Sequence, residues 1–111
     1  MSASASDALR EIDETISPAP WWVGGSNIWG PDGDQVAACY DNLALRPASE
    51  GLENALALAR LRNALPAARA LVAELEIVLM RPVGTPPDEK DLAILREALA
   101  AFSAALRSPI S

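Results

Sequence analysis

The amino-acid sequence predicts an α+β fold in which an N-terminal helix and a small antiparallel β-meander precede a long helix and an antiparallel C-terminal helix. Two observations carry this prediction. Short β-type runs punctuated by glycine and proline fill residues 20–42, and two apolar stripes with alternating spacings of three and four follow within residues 49–107. The 111 residues, 50% of them hydrophobic and 22% charged, are typical of one globular domain covering residues 1–111.

The first predicted element is a short amphipathic helix over residues 5–16, inside an N-terminal segment 1–17. Its apolar side chains Leu9, Ile12 and Ile16 recur at spacings of three and four. Ser4 and Asp7 have the spacing of a capping box, which marks the start of the helix. Prolines shortly after residue 17 end it.

The predicted meander has two or three strands, drawn from the runs Trp21–Val23, Asn27–Trp29 and Gln35–Tyr40. Gly24-Gly25 separates the first two runs, and Gly30-Pro31-Asp32-Gly33 separates the second two. In the latter, proline suits the first turn position and Gly33 can adopt a positive φ, which predicts a hairpin. A sheet this small is stable only when another element packs on one face.

A long helix is predicted from Ser49, a suitable N-cap, to Met80. Its heptad seam is typical of a helix that packs lengthwise on another helix. The seam consists of Leu58, Leu61, Leu65, Ala68, Val72, Leu75 and Leu79. Pro66 interrupts this pattern, so we expect a kink or a break with Asn63 capping the second half. From Ala64 onward the helix is apolar nearly all round, which predicts the most buried element of the fold.

The last predicted helix runs from about Pro86 to Arg107, and Thr85 and Asp88 have capping-box spacing at its start. Its apolar stripe consists of Leu92, Leu95, Leu99, Phe102 and Leu106. Two matching stripes joined by a short connection predict an αα-hairpin over residues 49–107.

The segment 71–80 has only two charged side chains, Glu74 and Glu76, among ten residues. Its apolar surface exceeds what one helix and a small sheet can cover, and each large apolar side chain left in water forgoes about 1.5–3 kcal/mol. We therefore expect a homodimer or a higher even-numbered oligomer. The predicted interface residues are Leu71, Leu75 and Leu79.

Charge and composition exclude several classes of function. The net charge is −6, and residues 1–50 hold all of the excess, with eight acids against two arginines. Such a chain disfavours direct nucleic-acid binding and fits a basic partner surface. The chain has no histidine and one cysteine, Cys39, so no catalytic residue, metal ligand or cofactor site is predicted, and we expect a protein that is not an enzyme. The absence of a signal peptide or membrane span predicts a cytoplasmic protein.

An aromatic cluster occupies the meander and consists of Trp21, Trp22, Trp29 and Tyr40. Adjacent tryptophans on a strand point to opposite faces, so Trp21 and Trp22 cannot both face one core. One of them is either exposed at a partner-binding surface or covered by a helix or a sister subunit. Asp32 and Asp34 lie in the neighbouring turn and belong to the same predicted surface. They lack the ligand pattern of a calcium loop.

Arg62 and Arg69 lie one heptad apart, and neither has an acid three or four residues away in its helix. Their partners are therefore water, the acidic N-terminal half, a second subunit or a bound phosphate. If a phosphate binds there while the aromatic cluster stacks on a base, the protein sequesters a cyclic nucleotide.

One segment, 22–76, is similar to small accessory proteins of phages and prophages. The resemblance rests on the turn Gly30–Gly33 followed by Val36-Ala37, then Asn54-Ala55, Arg62–Pro66 and Ala73–Glu76. It implies a phage or mobile-element origin and inhibition of host defence, by binding a CRISPR effector or by sequestering a cyclic-nucleotide signal. The leading hypothesis is a stoichiometric inhibitor that binds a basic surface of a host defence complex. The alternatives are a cyclic-nucleotide sponge and a homodimeric interaction module.

Overall fold

The computed structural model describes residues 4–39, 50–82 and 84–110. Its elements are α1 (Ala5–Thr15), β1 (Trp22–Gly24), β2 (Asn27–Trp29), β3 (Gln35–Ala38), α2 (Glu50–Leu79) and α3 (Glu89–Leu106). The predicted α+β architecture is confirmed, with three strands in the meander. Tyr40 and the predicted N-cap Ser49 lie outside the described residues.

The three strands form one antiparallel sheet in the order β1-β2-β3. Gly24 pairs with Asn27, so the first turn has two residues, and Gly25 adopts a φ of 65° there. The second turn is the predicted hairpin: Gly33 has a φ of 83°, and its N–H donates to the carbonyl of Gly30 at 3.0 Å. Glycine takes these left-handed conformations without the steric cost that a side chain imposes.

One face of the sheet packs on the first half of α2 and forms the apolar core. Val23 and Ile28 are paired across β1 and β2, and both are buried. They pack with Ala55 and Ala59 of α2 and with Ile110 from the C-terminal tail. The tail also accepts a backbone hydrogen bond, from the N–H of Val23 to the carbonyl of Ile110 at 2.6 Å. The helix and the tail therefore supply the cover that the sheet needs.

At Pro66 the expectation was a kink or a break, and the break is excluded, because one helix of 30 residues passes through this position. Proline removes a single backbone donor, and here its residue lies on an exposed side of the helix. Asn63 does not cap a second helix. Its Oδ1 accepts from the N–H of Trp21 at 2.7 Å, and its Nδ2 donates to the carbonyl of Trp21 at 2.8 Å, so it fixes the start of β1 on α2.

The prediction that α2 is most buried beyond Ala64 is also wrong. Its buried residues all lie in the first half and are Gly51, Ala55, Ala59, Arg62 and Ala64. In the described residues 71–80 no side chain is buried. The sheet and the C-terminal tail cover the first half, whereas only α1 and α3 accompany the second half. Nor is the predicted heptad seam enclosed, since Leu58, Leu61, Leu75 and Leu79 are exposed.

The two flanking helices begin at hydrogen-bonded caps. At the start of α1, the Ser4 hydroxyl accepts from the N–H of Asp7 at 3.1 Å, as predicted. The start of α3 differs from the prediction, because Asp88 caps it and Thr85 does not. The Asp88 carboxylate accepts from the Asp91 N–H at 2.8 Å, and the Asp91 carboxylate accepts from the Asp88 N–H at 3.0 Å. The two aspartates thus each accept from the N–H of the other, so α3 starts three residues later than predicted.

Candidate protein-binding surface

Trp22 and Trp29 form a stacked pair on the sheet face that points away from α2. They are register partners on β1 and β2, next to the inward-facing pair of Val23 and Ile28. Their ring centroids lie 5.6 Å apart with an interplanar angle of 19°. Trp22 is 43% exposed, and its Nε1 donates to the carbonyl of Gly30 at 3.3 Å. The pair is therefore a rigid aromatic platform that remains accessible to a partner.

Gly24 provides the space in which the two rings stack. A Cβ atom at this position would lie 3.3 Å from Nε1 of Trp29 and 3.4 Å from Cζ3 of Trp22. The contact to Trp29 is tighter than most Cβ contacts, so this ring would have to shift by a few tenths of an ångström. A side chain at Gly24 would therefore disturb the stacking of the pair slightly.

Trp21 takes the opposite orientation and is part of the fold. It packs against the apolar core while Arg62 lies over its ring, with the guanidinium carbon 5.9 Å from the ring centroid. Its Nε1 donates to the carbonyl of Ser17 at 3.1 Å. Of the three predicted tryptophans, the structure therefore brings Trp22 and Trp29 together and places Trp21 between the sheet and α2.

An acidic turn joins β2 to β3. It begins at Gly30, whose carbonyl accepts the hydrogen bond from the Trp22 ring. Asp32 and Asp34 are both exposed in this turn. The carbonyl of Asp34 accepts from the N–H of Gly30 at 2.8 Å, which closes the turn through its backbone. A small groove of about 110 Å³ runs beside the turn, and both aspartates contribute to its lining. The Trp22 ring is thus hydrogen-bonded to the turn that carries the two carboxylates, and the aromatic platform and this turn together are named here the Trp-Asp surface.

Arg62 and Arg69 meet the acidic N-terminal half through a single carboxylate. Both guanidinium groups donate to Asp13, and the Arg69 contact is 2.6 Å long. Arg62 also donates to the carbonyl of Asp13 at 3.2 Å and from Nε to the carbonyl of Ser17 at 2.9 Å. With Arg62 only 5% exposed, a phosphate could reach its guanidinium only by displacing Asp13.

This ion cluster lowers the pKa of Asp13. The hydrogen bond from Arg69 is the main cause, the bond from Arg62 adds to it, and burial opposes both. Asp13 is one of the residues that sequence analysis missed. A signal for it was present, because Asp13 stands four residues after Leu9 and so places a charge on the apolar stripe of α1.

A second carboxylate holds the other end of α1. Glu76 of α2 accepts from the N–H of Ser6 at 2.9 Å and from its hydroxyl at 2.6 Å. It thus pairs with an N–H group in the first turn of α1 that has no partner within that helix. These bonds lower the pKa of Glu76, with the hydroxyl bond as the main cause. In the sequence, Glu76 was recognised only as one of two charged residues in the apolar segment 71–80. No local pattern signalled its contact 70 residues away.

The predicted dimer residues lie at the second half of α2. Leu71 and Leu75 line an apolar groove of about 260 Å³ together with residues of α3, whereas Leu79 projects near the end of α2 and is 78% exposed. The contribution from α3 consists of Leu92, Leu95, Arg96 and Leu99. This groove is separate from the Trp-Asp surface, because its lining residues belong to α2 and α3 alone.

The described part of the chain contains no cluster of three or more histidine, cysteine, aspartate or glutamate residues that could hold a metal ion. Cys39 is a free, half-buried thiol. Within the same described ranges, no helix has the length and apolar character needed to cross a membrane.

No family model, curated protein or solved structure matches this chain. Functional inference therefore depends on the geometry of the surfaces described above.

Proposed function

We propose that this protein is a non-enzymatic binding protein that docks on a basic surface of a partner protein through the Trp-Asp surface. The observation that carries the proposal is the stacked pair of exposed Trp22 and half-buried Trp29, which a hydrogen bond from Trp22 joins to the acidic turn. Tryptophan is enriched among the residues that contribute most to protein interfaces, because a rigid ring buries a large area at low conformational cost. A platform of this kind is costly to leave in water unless a partner covers it.

Charge supports a basic partner. Asp32 and Asp34 lie in the turn that follows Trp29, and the chain's entire negative excess lies in residues 1–50. Such a field accelerates association with a positive surface and discriminates against acidic partners. Arginine on the partner would both pair with the carboxylates and stack on the Trp22 ring.

The resemblance to phage and prophage accessory proteins supplies a biological setting. In that setting the partner is a host defence effector of the CRISPR type, bound stoichiometrically in the host cytoplasm. Inhibition by occupancy needs a stable surface and no reacting group. We also include a homodimer in this proposal, because large apolar side chains of α2 remain exposed in the single chain.

The alternative of a cyclic-nucleotide sponge has less support from the geometry. It requires Arg62 or Arg69 for the phosphate, yet both guanidinium groups already bind Asp13. It also requires a ring free to stack on a base, and Trp22 and Trp29 stack on one another. An interaction module without a role in defence is the remaining alternative.

Phage plating on bacteria with active CRISPR immunity tests the proposal. Expression of the wild-type protein should raise the number of plaques at least tenfold against one CRISPR type in a panel. Trp22→Ala should abolish this effect, and the double variant Asp32→Asn/Asp34→Asn should reduce it. The matched control is Glu11→Gln/Glu14→Gln, which removes the same charge from exposed positions of α1 and should act like wild type.

Two results would overturn the proposal. One is plating that no CRISPR type in the panel changes, and the other is full activity of Trp22→Ala. Quenching of tryptophan fluorescence by micromolar cyclic dinucleotides or trinucleotides would instead favour the sponge.

A further inference from the structure

The heptad seam of α2 is an open apolar face. Of its seven side chains, Leu65, Ala68 and Val72 are half-buried, and four are exposed. The exposed fractions are 46% for Leu58, 58% for Leu61, 39% for Leu75 and 78% for Leu79. The seven seam residues, none of them charged, are spread over 22 residues, or about 33 Å of helix. Leu75 also lines the groove against α3, so the apolar surface continues from α2 onto that helix.

The chain exposes more surface than a compact monomer of its size. Its accessible area is 7528 Å², against about 5,900 Å² expected for a folded monomer of 11.7 kDa. Its radius of gyration is 17.5 Å, against about 13 Å for a compact domain of this length. The excess area of about 1,600 Å² is larger than the roughly 800 Å² that each partner buries in a standard stable interface.

The seam and the Trp-Asp surface lie on different sides of the molecule. Ala55 and Ala59, which contact the sheet, lie on the other side of α2 from the centre of the seam, because successive residues advance by about 100° around a helix. A helix that covers the seam therefore leaves the outer face of the sheet accessible.

We infer that a second copy of this chain covers the seam, with the two α2 helices packed lengthwise. This inference rests on the homodimer included in the proposed function and assigns its interface to Leu58–Leu79, beyond the predicted residues of the last third of the helix. An uncharged 3-4 spacing repeated over three heptads is the pattern by which helices pair. A second copy presents the same seam, the same groove and the same excess of exposed surface. An isologous interface requires the same patch on both subunits. The dimer then carries two Trp-Asp surfaces and can bind a repetitive partner bivalently.

Sedimentation velocity at 1–50 µM, combined with circular dichroism, tests the interface. The wild type should sediment at twice the monomer mass. Leu61→Glu/Leu75→Glu should sediment as a monomer with unchanged helicity, because both side chains are already exposed in the single chain. The control Ile77→Glu alters an equally exposed residue of α2 outside the seam and should remain a dimer.

Cysteine crosslinking gives a second measurement that does not depend on the glutamate variants folding. Ala68 lies at the centre of the seam, so its symmetry mate is near in both the parallel and the antiparallel arrangement. In a Cys39→Ser background, Ala68→Cys should form an intermolecular disulfide under mild oxidation, while Ile77→Cys should not.

A monomeric wild type at 50 µM would overturn the inference and assign the seam to a different helix. A dimer that survives Leu61→Glu/Leu75→Glu, or equal crosslinking at positions 68 and 77, would also overturn it. Failure of the interface is distinguishable from failure of the proposed function, because mass and crosslinking report on the seam, whereas the Trp22→Ala plating result reports on the Trp-Asp surface.

Discussion

The two halves of α2 differ in how far neighbouring elements bury their apolar side chains. In the first half the alanines Ala55 and Ala59 are buried, and they pack with a sheet that brings Val23 and Ile28 onto the helix. The second half carries large leucine and isoleucine side chains, inside the seam and outside it, yet none of the described residues 71–80 is buried. Whether an apolar side chain of α2 is buried therefore depends on the element that lies next to it and not on the size of the side chain.

A small side chain allows the closest approach of a sheet to a helix. The dense contacts around Ile28, which has no exposed surface, depend on the alanines beneath it. The second half of α2 has no such layer: α3 lies beside it across an apolar groove, and the carboxylates of Asp13 and Glu76 join α2 to α1. One half thus packs on a sheet, whereas the other lies between helices and carries charged contacts, named here clamps, and the two should respond differently to substitution and to pH.

The largest effect is expected at the sheet. Ile28→Ala should lower the free energy of unfolding by about 3–4 kcal/mol, because it removes three buried carbons and leaves a cavity against α2. Chemical denaturation measures this loss. The control Ile77→Ala trims an exposed side chain in the other half and should cost less than about 0.5 kcal/mol. Similar losses at both positions would show that the two halves do not differ in packing.

A smaller but still substantial effect is expected at the clamp. Asp13→Asn should cost about 3 kcal/mol at neutral pH, because it leaves the buried charge of Arg62 without its carboxylate. Glu14→Gln, an exposed neighbour, is the matched control and should be nearly neutral. Amide hydrogen exchange should show α1 losing protection in Asp13→Asn while β1 and β2 keep theirs. Unchanged protection of α1 would contradict the role of the clamp.

The smallest effect is expected from pH. The pKa values of Asp13 and Glu76 are lowered in the folded protein, so both clamps contribute fully above the ordinary carboxyl values of about 4. Their contribution is lost as the pH falls from there through the lowered values. Protection factors of residues 5–15 should decrease as the pH falls below about 4, ahead of those in residues 22–38. In Asp13→Asn/Glu76→Gln this difference in pH response should disappear.

Local signals in the sequence were sufficient for the element order and for most turns. Gly33 after Pro31-Asp32 predicted the hairpin because only a few residue types adopt a positive φ. The paired tryptophans predicted that one ring faces outward because strand residues alternate. The predicted cap at Thr85 was wrong, because two possible capping boxes overlap in the sequence, Thr85 with Asp88 and Asp88 with Asp91. The reciprocal hydrogen bonds between Asp88 and Asp91 show that the second one forms.

The sequence by itself therefore determined the fold class, a meander of two or three strands, the heptad spacing of α2 and the acidic first half, since each follows from periodicity, turn chemistry or composition. Only the tertiary structure decided that the sheet selects the alanine face of α2, that the seam remains open, that Asp13 takes both arginines and that Trp22 stacks on Trp29. These outcomes depend on contacts between residues 7 to 56 positions apart in the chain, and the packing of whole elements settles which of several apolar or charged faces meet.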